Sequence, residues 1–201
     1  MTTTNKTIIF LGSSVTEGDC GYSMCEVVRE RTDAEVVKWA VSGTTLSTAR
    51  ENSYVERFLK EMPSRDKCDL FITQLSTNDA GKPEIVIGEL SESFKAEDFD
   101  TRTIVGAIEF IIATAREKWG CPIAFYTGGR YGEPMYEEMV KALIKVAKKW
   151  GIGIIDIFND EAIHSISEED KKRYYKDAVH PTRLGYSELW ADKFLDYIKS
   201  V

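Results

Sequence analysis

The sequence predicts an α/β protein built as a three-layer sandwich, with about five parallel strands between two layers of helices. Short apolar runs alternate with amphipathic segments along the chain, and this alternation is typical of parallel strands joined by helices. Right-handed crossovers place those helices on both faces of the sheet. The predicted strands span residues 8–11, 35–40, 70–75, 123–126 and 153–157. The predicted helices span residues 22–31, 48–62, 103–118, 135–150 and 183–199.

The predicted helix 135–150 shows the helical period most clearly. Met139, Leu143 and Val146 fall on one face, and lysines occupy the other. Gly151 follows the last periodic residue, as expected where a helix ends in a left-handed conformation. The spacing of the apolar residues and the glycine at the end together predict an amphipathic helix packed on the sheet.

Residues 80–100 interrupt the alternation. The segment contains Pro83, Gly88 and several acidic residues, but no sustained helical or strand period. Loops of about 20 residues inside a compact domain are usually functional, so a lid or a binding loop is the first interpretation. A short hairpin or a helix with a weak pattern is the alternative.

The composition of the 201 residues is that of a globular protein, and a single domain over residues 1–201 is predicted. The net charge of −7 argues against a nucleic-acid partner, because phosphate binding needs a basic surface. No apolar run approaches the roughly 20 residues of a membrane-spanning helix, so no membrane partner is expected. The N-terminus lacks the features of a signal peptide, so a cytoplasmic location is expected, or a secreted one if a leader was removed. The four cysteines form no CxxC pair, and no metal site is predicted.

Small and hydrogen-bonding residues follow four of the predicted strands. These loops read GSSVTEG, VSGTT, STNDAG and TGGRYG. Ligands of open α/β sheets bind beyond the carboxyl ends of the strands, where these loops lie. In the first loop, Ser14 opens the next helix, whose first backbone N–H groups have no partner within the helix. Such a position suits a nucleophile beside its oxyanion donors, or a bound phosphate group.

A serine hydroxyl becomes a good nucleophile only when a base takes its proton, and the chain has only two histidines. His180 follows Asp177 by three residues, so one compact turn can hold the carboxylate at Nδ1 and leave Nε2 for Ser14. His164 lies in an acidic segment and is expected to be structural or exposed. Cys20, close to the first loop, is a rival nucleophile.

Acyl transfer also needs hydrogen-bond donors for the oxyanion. The candidates are the backbone N–H groups of Ser14 and Gly43 and the side-chain amide of Asn78. Two of these residues have an alternative structural role, since Gly43 suits a simple turn and Asn78 suits an Asx-turn. Arg130 and Tyr131, in the loop after the fourth strand, are candidates for the wall of a substrate pocket.

These motifs resemble the SGNH hydrolases, the GDSL-type esterases and lipases. GSSVTEG is similar to their first block, AVSGTT with Gly43 to the second, STNDA with Asn78 to the third, and DAVHP with Asp177 and His180 to the fifth. The four blocks occur in the family's order and cover almost the whole chain. The resemblance implies a flavodoxin-like three-layer fold, a triad of Ser14, His180 and Asp177, oxyanion donors at Gly43 and Asn78, and no metal or other cofactor.

Two positions depart from the family's pattern. Ser13 stands where the first block usually has Asp, and Ser76 stands where the third block usually has Gly. The family's Asp is not the acid of the triad, so the mechanism is expected to survive its replacement. Thr16 and Gly18 match the pattern and select Ser14 over Ser13 as the nucleophile.

The sequence thus predicts a serine esterase that hydrolyses small carboxylic esters through an acyl-enzyme. Short-chain or acetyl esters, including those on carbohydrate, are the expected substrates. A flavodoxin-like electron carrier that binds flavin is one alternative, but it leaves Asp177 and His180 unused. A catalytically inactive binding module on the same fold is the other. No feature of the sequence indicates an oligomeric state.

Overall fold

A computed structural model describes residues 6–201 of the chain. Five parallel strands form one sheet in the order β2-β1-β3-β4-β5. The strands are β1 (Thr7–Gly12), β2 (Glu35–Ala40), β3 (Leu70–Gln74), β4 (Ile123–Tyr126) and β5 (Gly153–Ile155). This order is that of flavodoxin-like proteins, and the predicted α/β fold class is confirmed.

Helices cover both faces of the sheet. They are α1 (Ser14–Glu17), α2 (Met24–Arg31), α3 (Tyr54–Glu61), α4 (Ile104–Trp119), α5 (Pro134–Trp150), α6 (Glu161–His164), α7 (Glu168–Tyr174) and α8 (Ala191–Ser200). Short 3₁₀ turns occupy Met62–Ser64 and Ala96–Asp98. The predicted helix 183–199 differs at its start, where a π-helical turn, Gly185–Trp190, precedes α8.

The sheet divides the core into two parts, as the inner strand β1 shows. All six of its residues are buried, and successive side chains point to opposite faces. Ile9 and Leu11 pack into the cluster formed with α3, α4 and α5, whereas Ile8 and Phe10 pack into the cluster formed with α2 and α8. Burial on both faces explains why β1 reads as a continuous apolar run rather than an alternating one.

Two predicted helices begin later than expected, and capping boxes explain both differences. In α3, the Ser53 hydroxyl accepts the Glu56 backbone N–H, and the Glu56 carboxylate accepts the Ser53 N–H. Ser23 and Glu26 form the same arrangement at the start of α2. The Ser-x-x-Glu spacing was visible in the sequence and marks these starts more sharply than the apolar period does.

The segment of residues 80–100 is neither a hairpin nor a long helix. It packs on the outside of α4 and α5, and Lys149 of α5 holds it there. The Lys149 ammonium donates to the backbone carbonyls of Ser91 and Ser93, contacts the buried Glu109 carboxylate, and lies 4.7 Å from the centre of the Phe94 ring. These contacts join the segment to the helical layer and give no support to a lid over the site.

Over residues 6–201, no helix combines the length and the apolar character that crossing a membrane would require.

Candidate active site

The tight turn between β1 and α1 carries the candidate nucleophile. Gly12 ends the strand, and a side chain there would overlap Thr16 Oγ1 at 1.7 Å and Gln74 Oε1 at 2.8 Å. Only glycine therefore lets the turn close against β3. The next helix begins at Ser14, which is half-buried and faces the loop after α7.

Three predicted residues meet in one hydrogen-bonded chain. Ser14 Oγ lies 2.8 Å from His180 Nε2. His180 Nδ1 lies 2.9 Å from each carboxylate oxygen of Asp177. Asp177 Oδ1 also accepts the backbone N–H groups of Val179 and His180, both at 2.8 Å. Residues 177–180 thus form the compact turn that the spacing predicts.

The surroundings of Asp177 favour its ionised form. Partial burial would by itself raise the pKa of this carboxyl, but the N–H groups of Val179 and His180 and the imidazole outweigh it and hold the pKa below its usual value. An ionised carboxylate binds the Nδ1 proton and stabilises that tautomer of His180. The Nε2 lone pair then points at the Ser14 hydroxyl.

Asp19, which follows α1, joins the serine loop to the histidine loop. Its carboxylate binds the Lys176 ammonium at 2.9 Å and accepts the Arg183 backbone N–H at 3.2 Å. The Lys176 backbone N–H donates to the His180 carbonyl at 2.8 Å. The Lys176 ammonium holds the pKa of Asp19 below its usual value. Sequence reasoning missed Asp19, because its partners lie more than 150 residues away along the chain.

The candidate oxyanion donors lie in neighbouring loops. Gly43 has a φ of +80°, and a side chain there would meet no atom within 4 Å, so its backbone is open to a ligand. The Asn78 side-chain amide donates to the Thr44 carbonyl at 2.9 Å and to Ser13 Oγ at 3.1 Å. These bonds reach across loops, unlike the Asx-turn that was the alternative for Asn78.

Gln74, the last residue of β3, orders the serine loop from below. Its side-chain oxygen accepts the backbone N–H groups of Ser13 and Thr16 and the Thr16 hydroxyl, at 2.8–3.2 Å. Its amide donates to Ser13 Oγ at 3.3 Å. Sequence reasoning missed Gln74, although a polar amide at the end of an apolar strand was a usable signal.

Asp79 joins the loop after β3 to the loop after β2. Its fully buried carboxylate accepts the backbone N–H groups of Leu46 and Ser47 at 2.8 and 3.0 Å. Burial raises the pKa of this carboxyl. Ser76, the second departure from the family's pattern, accepts the Asn78 backbone N–H at 3.2 Å and so shapes the same loop.

A family model described as GDSL-like Lipase/Acylhydrolase family matches residues 10–187. The chain belongs to this family. It is therefore an ester hydrolase, in agreement with the resemblance carried by its motifs. No curated protein matches the sequence.

Solved structures share the fold of this hydrolase along almost its whole length. A Lactobacillus plantarum protein has a TM-score of 0.80 at 17% identity, over 98% of this chain and 97% of that one. The acetyl xylan esterase AlAXEase has a TM-score of 0.68 at 15% identity, over 96% and 99%. An inhibitor-bound aryl esterase of M. smegmatis has a TM-score of 0.66 at 14% identity, over 97% and 99%. At these identities the likeness establishes the fold.

Two cavities lie beside the hydrogen-bonded chain. The first, of about 240 Å³, is lined by Ser14, Gly18, Asp19, Ser42, Lys176, Asp177, His180, Pro181 and Tyr186. The second, of about 370 Å³, shares Lys176 and Asp177 with the first and extends toward Arg130 and α7. Among residues 6–201, no cluster of three or more His, Cys, Asp or Glu side chains is arranged to hold a metal ion.

The two candidates for the pocket wall have different surroundings. Arg130 forms an ion pair with Glu161 at 2.6 Å and donates to the Phe158 carbonyl at 2.9 Å, so α6 engages its guanidinium. Tyr131 donates to the Thr77 carbonyl at 3.3 Å and thus lies against the loop that carries Asn78.

His164 and Cys20 lie apart from the Ser14 hydroxyl. His164 Nε2 is 3.1 Å from the Ile157 carbonyl, and burial lowers the pKa of its imidazole. Cys20 is exposed in the turn after α1, with a φ of +50°. The imidazole that meets Ser14 is that of His180.

Proposed function

We propose that this hydrolase is a serine esterase in which Ser14 is the nucleophile, His180 the general base and Asp177 the residue that orients the base. The observation that carries the proposal is the continuous hydrogen bonding from Ser14 Oγ through the imidazole to the Asp177 carboxylate, at the wall of a cleft of about 240 Å³. A base within hydrogen-bond reach of a hydroxyl, itself held by a carboxylate, is the arrangement that activates serine.

In the proposed first half-reaction, Ser14 Oγ attacks the ester carbonyl carbon while His180 Nε2 takes the hydroxyl proton. The carbonyl oxygen becomes an oxyanion that accepts the backbone N–H groups of Ser14 and Gly43. The Asn78 amide keeps its bond to the Thr44 carbonyl and turns its other hydrogen from Ser13 Oγ to the oxyanion. The C–O bond to the alcohol then breaks, and His180 gives its proton to the leaving oxygen. The product of this half-reaction is an acyl-Ser14 ester.

Water completes the proposed cycle. His180 takes a proton from the water as its oxygen attacks the acyl carbonyl, and the same three donors bind the second oxyanion. Collapse of that intermediate returns the proton to Ser14 Oγ and releases the carboxylic acid. Throughout, Asp177 stays ionised and stabilises the imidazolium.

Small esters are the proposed substrates. The cleft beside Ser14 has the volume of a short acyl group with part of its alcohol, and the cavity past Lys176 gives room for a larger alcohol such as a sugar. Two structural neighbours are named as acetyl xylan and aryl esterases, so acetyl esters of sugars and phenols are the first compounds to test. Family membership argues against the flavin-binding carrier, and ester hydrolysis by the wild-type protein would reject the inactive binding module.

Replacement of the candidate nucleophile tests the proposal directly. We expect Ser14→Ala to lower kcat for p-nitrophenyl acetate by about three orders of magnitude or more, because no other group replaces the attacking oxygen. Ser64→Ala, at an exposed serine of the 3₁₀ turn after α3, is the control and should match wild type.

Covalent labelling identifies the attacking atom. A fluorophosphonate should attach to the peptide that contains Ser14, as read by mass spectrometry, and Ser14→Ala should abolish the label. A label on Cys20, or full activity in Ser14→Ala with loss in Ser13→Ala, would show that the assignment is wrong.

A further inference from the structure

Arg57 of α3 is a buried cation beside the candidate oxyanion hole. Only 7% of the residue is exposed, and its guanidinium donates to the Gly12 carbonyl at 2.8 Å, to Thr44 Oγ1 at 3.1 Å and to the Trp39 carbonyl at 3.2 Å. Its Cζ lies 5.2 Å from the centre of the Tyr54 ring. All its hydrogen-bond acceptors are therefore neutral oxygens.

Among residues 6–201, no carboxylate forms an ion pair with this guanidinium, and Glu17 and Glu61 interact with its charge only from a longer distance. Arg57 Nε is buried without a hydrogen-bond partner. Burial of a charge without a counter-ion opposes folding, and a guanidinium stays protonated under nearly all conditions. A buried cation without an ion pair is a costly way to satisfy three oxygens, which indicates a role beyond stability.

Two of the three groups that Arg57 binds belong to the segments that carry the candidate donors. Gly12 lies two residues before Ser14, and Thr44 follows Gly43. The Thr44 carbonyl accepts the Asn78 amide at 2.9 Å. One rigid, planar guanidinium thus connects the serine loop, the glycine loop and, through Thr44, the asparagine.

We propose that Arg57 is a positioning residue for the oxyanion hole, and that its unneutralised charge favours the negative charge that develops there. The inference rests on the esterase function proposed above. Arg57 does not touch the substrate; it acts through Gly12 and Thr44. Donors fixed before the reaction need no rearrangement in the transition state, and a charge in a site with little water acts more strongly than one in solvent.

Kinetics of two Arg57 variants test this role. We expect Arg57→Met to lower kcat for p-nitrophenyl acetate by about 10- to 100-fold with KM changed less than about twofold, because the lost interactions act on the transition state. Arg57→Lys keeps the charge but not the fork of donors, and should fall between wild type and Arg57→Met. Affinity for phenylboronic acid, which forms a tetrahedral adduct on serine, should fall in parallel with kcat.

Arg116→Met is the matched control. The Arg116 guanidinium also donates to a backbone carbonyl, that of Trp150, and lies 5.5 Å from an aromatic ring centre. It lies in the last turn of α4, which leads to the start of β4, whereas Ser14 follows the end of β1. Its loss should lower thermal stability and leave kcat unchanged.

Thr44→Val provides a second test if Arg57→Met does not fold. It removes the hydroxyl that accepts from Arg57, so kcat should fall with KM nearly constant, and its effect should not add to that of Arg57→Lys. Unchanged kcat in folded Arg57 and Thr44 variants, with only lower stability, would overturn the inference. If wild type hydrolyses the ester and Ser14→Ala does not, that result leaves the proposed function intact; an inactive wild type would instead reject the function itself.

Discussion

Ser13 and Ser14 are neighbours in the chain, and the fold gives their hydroxyls opposite surroundings. The Ser13 hydroxyl is fully buried and accepts the side-chain amides of Gln74 and Asn78. The Ser14 hydroxyl meets the imidazole of His180. The serine that departs from the family's pattern is thus part of the support of the loop, and its neighbour faces the base.

The Asp177 carboxylate faces Nδ1 of His180. We expect Asp177→Asn to lower kcat by about 10²- to 10⁴-fold, because an amide NH₂ facing Nδ1 favours the wrong tautomer of His180. Asp192→Asn, at an exposed carboxylate in the first turn of α8, is the control and should match wild type. Wild-type activity in Asp177→Asn would contradict an orienting role for this residue.

The same residue sets the expected pH dependence. Because the pKa of Asp177 is lowered, its interaction with His180 is fully present above the carboxyl's unfolded value and is lost only as the pH falls through the lower, folded value. The carboxyl 13C chemical shift of Asp177, followed from pH 8 downward, should therefore titrate below the value of about 3.9 of an unperturbed aspartate. A midpoint at or above that value would contradict the lowered pKa.

Among the structural elements, the 80–100 segment is the one whose position the sequence left open. Backbone N–H groups at the start of α4 donate to the carbonyls of Val86 and Ile87. A further connection is Lys149, which pairs with Glu109, a carboxylate of which 0% is exposed. The ammonium also lies near the aromatic rings of Phe99 and Trp150. A polar group so enclosed is costly to leave without its partner.

We therefore expect Lys149→Met to lower the free energy of unfolding by about 3 kcal/mol, because the Glu109 charge stays buried without its cation. Urea denaturation measures this loss, and limited proteolysis should show earlier cleavage within residues 86–99. Lys148→Met, at the exposed neighbouring lysine, is the control. We expect kcat/KM to stay unchanged in folded Lys149→Met; a large fall at full folding would assign the segment a role over the substrate.

At the scale of the whole molecule, the strand order brings distant loops together. β2 pairs with one side of β1 and β3 pairs with the other, so the direction of the strand order reverses at β1. The crevice between the carboxyl ends of β1 and β3 is therefore the switch point where ligands of such sheets bind. Ser14 follows β1 at this crevice and Asn78 follows β3. The π-helical turn and α8 then pack against α2 and complete the layer behind the histidine loop.

The stability of the whole fold should depend on pH through His164. Burial lowers the pKa of this imidazole in the folded state, so between the folded value and the unfolded value of about 6.5 the unfolded chain binds more protons. The free energy of unfolding should therefore fall as the pH is lowered through that window. His164→Gln should remove this part of the loss, as measured by urea denaturation at pH 7.5 and pH 5.5. An identical pH dependence in wild type and variant would contradict it, and esterase activity at pH 7.5 should be similar in both.

Local information in the sequence was sufficient to predict the fold class and the pairing of Asp177 with His180 in the candidate site. The strands were predicted to within about two residues, because burial on both faces of a parallel sheet leaves uninterrupted apolar runs. Asp177 and His180 could be paired because three residues of chain restrict them to one turn. The starts of α2 and α3 are also encoded locally, by the capping boxes of Ser23 and Ser53, although the apolar period predicted earlier starts.

Only the tertiary structure decided which distant groups meet. Ser14 and His180 are separated by 166 positions, and their contact depends on the strand order and on the packing of α8. Gln74 and Arg57 bind backbone atoms of other loops. Because nearly all residues have the same backbone groups, the sequence does not indicate which of them a distant side chain will bind. By itself, therefore, the sequence determined the elements and the local pairings, whereas the support of the candidate oxyanion donors emerged only when packing brought separate loops to the carboxyl ends of the strands.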